Sequence, residues 1–88
     1  MMRLIKDGLS FADAINELKN NSKLALSRPV YEEGGYKAYI GCYDYENKEE
    51  GDFFEFYIED DGSMGCQEMR VFYADIAADD WEVWEWEE

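Results

Sequence analysis

The sequence predicts an α+β fold: one N-terminal amphipathic helix packed on a small curved antiparallel sheet of about five strands, with a short helical turn before the last strand. Three observations lead there. One stretch, "SFADAINELKNN", carries apolar residues at helical spacing. Several short runs rich in aromatic and β-branched residues follow it, separated by polar turns. The 88 residues contain no repeat or linker, so residues 1–88 read as a single domain.

The helix opens at Ser10, an N-cap residue followed three positions later by Asp13, which approximates a capping box. Phe11, Ala14, Ile15 and Leu18 then form one apolar stripe, and Asn20–Asn21 closes the helix because asparagine tolerates the left-handed cap conformation. "KLALSRP" is a short strand stopped by Pro29, and "VYEEGGY" is a loop in which Gly34–Gly35 permits a tight reversal. Three strands are expected at residues 36–45, 52–59 and 64–73, joined by polar turns at 47–51 and 60–62. "ADIAADD" reads as a helical turn and "WEVWEW" as the last strand. In that strand Trp81 and Val83 share one face while Trp84 and Trp86 share the other. Either a bulge near Val83 or burial of both faces accounts for the pattern.

With 47% hydrophobic and 17% aromatic residues, the chain has the means to build a core despite a net charge of −14. The charge is uneven. Seven of the eight basic residues lie at or before Lys48, and beyond it Arg70 faces fifteen acids. Such a surface repels nucleic acid and anionic membrane and attracts basic partners, or it serves solubility alone. No run approaches the length of a membrane span, and "MMRLIKDGLSF" lacks a signal peptide's apolar run, so a cytosolic protein is expected. Cys42 and Cys66 lie far apart with no histidine in the chain, so both are expected to be buried free thiols rather than zinc ligands.

The absence of histidine removes the commonest general base, and no phosphate-binding glycine loop is present. The Asp79–Asp80 pair is expected to be solvated, and "DYENKEEGD" lacks the calcium-loop pattern of oxygens and glycine. A binding protein without catalysis, metal or cofactor is the expectation.

The motif order resembles the phage-encoded Thoeris anti-defence family of the second type. Phe11, Ala14 and Leu18 fill that family's Phe-x-x-Ala-x-x-x-Leu helix, and Arg28 with Tyr31 matches its Arg-x-x-Trp step, tyrosine replacing tryptophan. Gly34–Gly35 lies where the family has a glycine-bearing loop, and "DDG" at 60–62 resembles its Asp-Gly turn. "DIAADDWEV" at 75–83 is similar to its closing Asp-x-Leu-Ala-x-Asp-Trp-Glu-Val. The likeness spans about residues 11–83, leaving 84–88 as an acidic, tryptophan-bearing extension. The family's Pro-Trp segment has no tryptophan here; Glu68 to Phe72 occupies that stretch.

The resemblance implies a sponge: a phage or mobile-element protein of the host bacterial cytoplasm, forming a homo-oligomer (tetramer or dimer). Such a protein sequesters a nucleotide second messenger such as glycocyclic ADP-ribose or a cyclic dinucleotide. Arg28, Tyr31, Phe72, Asp75 and Trp81 are the ligand-binding candidates it implies. Arg28 could fork a phosphate, or pair with Glu32 or Glu33 at the surface; Tyr31 could stack a base; Trp81 could equally be core. Trp84 and Trp86 are candidates for a subunit contact, since aromatic rings are enriched in interfaces. The rival reading is an acidic nucleic-acid mimic, anti-CRISPR-like, that blocks a basic effector without itself binding nucleic acid. Carboxylates on alternate strand positions repeat at about 6.8 Å and could imitate a row of phosphates. A phage structural or accessory domain without a ligand is the third.

Overall fold

The computed structural model describes residues 2–21, 23–33, 35–42, 53–67 and 71–87. Strand β1 (Met2–Leu9) precedes helix α1 (Phe11–Asn20), and β2 (Leu24–Ser27), β3 (Glu32–Glu33), β4 (Tyr36–Cys42), β5 (Phe53–Ile58) and β6 (Met64–Gln67) follow. A short helix α2 (Tyr73–Ala77) leads into β7 (Trp81–Trp86). The sheet is antiparallel throughout, in the order β1-β7-β2-β4-β5-β6, with β3 paired to β4 beside that path.

The α+β class stands, but the helix is the second element, because "MRLIKDGL" forms an edge strand on β7. Nothing in that octet alternates cleanly. Its pairing skips a residue between Leu4 and Lys6 and again between Lys6 and Leu9, and Gly8 sits in the second irregularity at φ +68°. A residue with a Cβ resists that left-handed conformation, so glycine is what lets the strand bulge there.

The helix forms as its spacing requires. The Ser10 hydroxyl accepts from the Asp13 amide at 3.1 Å, and Ala14 and Leu18 turn inward from the apolar stripe. Helix α1 packs over β1, β7 and β2. On that face Leu26, Ile40, Trp81 and Val83 join Ala14 and Leu18 in the main core. The opposite face carries a second cluster, Ala25, Tyr39 and Phe56, with Trp84 packed on it. Strand β7 therefore buries both faces, which explains "WEVW". Its register with β2 is unbroken, and the irregularities belong to β1 across from it.

Other boundaries moved. The "VYEEGGY" loop contains β3, which pairs back on Tyr36 and Lys37, with Gly35 at φ +88° in the reversal. Of the strand expected over 64–73, the described part is Met64–Gln67, and Tyr73 already belongs to α2. At 60–62 the expected turn closes through Gly62 N–H to the Glu59 carbonyl at 2.9 Å. Cys66 is exposed rather than buried, on the last strand of the described sheet order, and the Cys42 side chain lies outside the described residues. The 47–51 turn, residues 43–45 and Glu68 to Arg70 lie outside the described residues. Among the described residues, no helix is long and apolar enough to cross a membrane.

Candidate functional site

Pro29 ends β2, and the Tyr31 amide bonds back to the Arg28 carbonyl at 3.0 Å, so the chain turns with the Arg28 side chain directed toward the segment before β7. There Arg28 Nη1 donates to Asp75 Oδ1 at 2.7 Å, and Nε donates to Asp80 Oδ1 at 2.7 Å. A longer bond of 3.4 Å joins Nη2 to Asp80 Oδ2, completing a two-pronged contact with that carboxylate. Of the two alternatives open for Arg28, the ion pair is the one found, but its partners are Asp75 and Asp80. These hydrogen bonds, led by Asp80, hold the Arg28 pKa above its ordinary value against the opposing effect of burial.

Asp75 is the junction of the site. It is 5% exposed, and its second oxygen accepts the Phe72 amide at 2.7 Å, capping the start of α2. Its backbone carbonyl accepts the Trp81 indole N–H, also at 2.7 Å. Burial pushes the Asp75 carboxyl up, but the Phe72 amide, Arg28 and Tyr31 together pull it below its ordinary value. The carboxylate therefore stays charged and bound in place.

Tyr31 rests edge-on against Trp81, centroids 5.6 Å apart, and Phe11 packs on the same indole at 5.1 Å. Trp81 is wholly buried, so its ring serves the core and its N–H serves Asp75. The Tyr31 hydroxyl is enclosed; among the described residues it has no hydrogen-bond partner of normal geometry, and Asp75 is the carboxylate it lies near enough to affect. Burial, reinforced by the nearby Asp75 charge, holds its pKa far above the usual phenol range.

In front of Tyr31 lies a pocket of about 350 Å³ lined by Val30, Tyr31, Glu32, Ala38, Glu55, Gln67, Phe72 and Asp75. It occupies the β4–β5–β6 end of the helix-bearing face: Ile40, Glu55 and Gln67 form one cross-strand row, and Ile40 belongs to the main core. Gln67 Nε2 donates to the Glu55 carboxylate across the β5–β6 pair. Phe72 is 66% exposed beside the opening.

Of the five ligand candidates, Tyr31, Phe72 and Asp75 line this pocket, while Arg28 and Trp81 stand behind Asp75 and hold it. Glu55 and Gln67 were missed. The available signal was a carboxylate at an inward position of "FFEFYI", with a glutamine directly opposite. Trp84 and Trp86 differ in environment. Trp84 meets the Tyr39 ring edge-on at 5.6 Å, lies under the Lys37 ammonium at 5.6 Å and donates to Glu82 at 3.1 Å. Trp86 is 46% exposed. Comparison with protein-family models, with curated proteins and with solved structures finds no match to this chain.

Proposed function

We propose that this chain is a counter-defence protein of phage or mobile-element origin that binds and sequesters nucleotide-derived immune signals without transforming them. The observation carrying this reading is the convergence of Tyr31, Phe72 and Asp75 on one pocket, with Arg28 and Trp81 bracing it. These residues come from stretches as far as fifty-three positions apart (Arg28 to Trp81); Arg28, Tyr31, Asp75 and Trp81 lie in the stretches that resemble the anti-defence family, whereas Phe72 lies where the chain departs from its Pro-Trp segment. Arg28 acts here by positioning, since two carboxylates already occupy its donors. Cyclic ADP-ribose variants and cyclic dinucleotides are the ligands proposed, and a homo-oligomer in the host cytoplasm is the working form.

Native mass spectrometry and calorimetry with glycocyclic ADP-ribose and a cyclic dinucleotide test this. Phe72→Ala is the informative variant because the ring is exposed and contributes little to the core. If it stacks on a base, its loss weakens binding by about 1–3 kcal/mol, roughly five- to a hundredfold. A wild-type protein that retains neither ligand ends the proposal.

The second reading, an acidic nucleic-acid mimic acting on a basic effector, is favoured by the net charge of −14 and by the internal neutralisation of Arg28. Its binding falls steeply with salt because many ionic contacts are replaced at once, whereas a small nucleotide gives a shallow slope.

A further inference from the structure

The pocket wall is rich in acceptors, and this decides which part of a ligand can enter it. Glu55 and Asp75 bring two carboxylates to a space of about 350 Å³, and of these Asp75 is paired with Arg28. A phosphate placed here would face uncompensated negative charge. A hydrogen-bond donor would not. One Gln67 N–H is committed to Glu55, which leaves the other Glu55 oxygen and the Gln67 amide oxygen to accept from a ligand.

The remaining walls select shape. Val30 and Ala38 are apolar, and Phe72 presents an exposed ring beside the opening. A flat, unsaturated ligand gains more from that ring than a compact ammonium ion does. A glutamine amide pairs with the amino and ring-nitrogen edge of adenine, and extruded bases are read elsewhere by such edge bonds combined with stacking. The volume lies at the small end of the range for small-molecule sites, about 300–1,000 Å³.

We infer that this pocket is a base-edge reader: it takes an amino-substituted heteroaromatic ring of the adenine type, with the amino group directed at Glu55 and Gln67 and the ring against Phe72. The inference rests on the nucleotide-binding reading above and assigns the base to this pocket and the phosphates outside it. It predicts discrimination by the amino group, because inosine presents a carbonyl where adenosine presents a donor. A carbonyl facing Glu55 leaves both acceptors unpaired.

The test is an ¹⁵N-correlation NMR titration of the full chain with adenosine, inosine and methylguanidine as separate probes, following the Gln67 side-chain amide. Adenosine should move that resonance and bind about tenfold or more tightly than inosine, a difference that Glu55→Gln should reduce. Glu55→Gln preserves shape, and its thermal melt reports whether the fold survives. The inference is overturned if adenosine and inosine bind equally, if adenosine leaves Gln67 unmoved, or if folded Glu55→Gln discriminates like the wild type. Tighter binding of methylguanidine than of adenosine also overturns it, in favour of a seat for a basic side chain. Gel-filtration retention of cyclic di-AMP separates the two levels. If wild type and Glu55→Gln retain it equally, sequestration stands and the base pocket falls. If neither retains it while adenosine still outcompetes inosine at Gln67, the pocket stands and sequestration falls.

Discussion

Arg28 and Asp75 show how one ion pair can shape a site: Asp75 lines the pocket, and Arg28 holds it from behind. Their side chains are 13% and 7% exposed, so each charge is largely removed from water and depends on the other. Arg28→Ala leaves Asp75 enclosed and unpaired, and the expected loss is about 3 kcal/mol, the lower end for opening a buried pair. Urea unfolding measures it; a loss below about 0.5 kcal/mol would place the pair among ordinary surface contacts. The pH dependence follows from the same residue. The folded-state pKa of Asp75 lies below its ordinary 3.8, so its stabilising contribution is complete above 3.8 and disappears as the pH falls through the depressed value. Acid melts between about pH 5 and pH 2 should therefore show a steeper loss in wild type than in Asp75→Asn. Parallel curves would mean that Asp75 is not a linked group.

At the scale of elements, α1 owes its position to a cap at one end and two inward residues along one stripe. Ser10→Ala removes the acceptor for the Asp13 amide and should cost about 1 kcal/mol, read as a shift of the urea midpoint at constant slope. A Ser10→Asp replacement should recover most of it, because aspartate caps equally well. Strand β7 carries more of the architecture. It pairs with β1 on one side and β2 on the other, and it sends Trp81 and Val83 to one core and Trp84 to the other. Removing residues after Val83 would therefore strip both sheet pairing and packing, so Trp86 alone is the ring to alter when a contact between copies is tested.

The whole molecule combines a strongly acidic chain with rings placed at different depths. Trp81 is core, Trp84 is packed within the second cluster, and Trp86 keeps 46% of its surface exposed at the end of β7. If copies of the chain associate through Trp86, Trp86→Ser should lower the mass in light scattering while leaving the thermal midpoint nearly unchanged. Equal masses for the two proteins would remove the ring from any such contact. The two rival functions also separate at this scale. A mimic uses the field of the entire anionic surface, whereas a sponge uses the local chemistry of one pocket.

Local chemistry was readable in order along the chain. The capped helix, the strand at Leu24–Ser27, the Asp-Asp-Gly turn and the helical turn before β7 all follow from short-range spacing and side-chain preference. Arg28, Tyr31, Asp75 and Trp81 became candidates through motif order rather than periodicity; that Tyr31, Phe72 and Asp75 line one pocket is a product of the fold. Tertiary structure decided the rest. Strand β1 has no stable alternation of its own and becomes a strand only because β7 offers an edge, so no pattern within residues 2–9 could announce it. Arg28 had acids nearby at Glu32 and Glu33, yet its partners arrive from forty-seven and fifty-two residues away, because folding brings the Asp75–Asp80 segment against the end of β2. Glu55 and Gln67 acquire meaning in the same way: a cross-strand pair becomes a pocket wall only when the loop after β2 and the start of α2 close around it. Chain-local forces select which elements form, while the pairing of distant strands determines which side chains share a cavity.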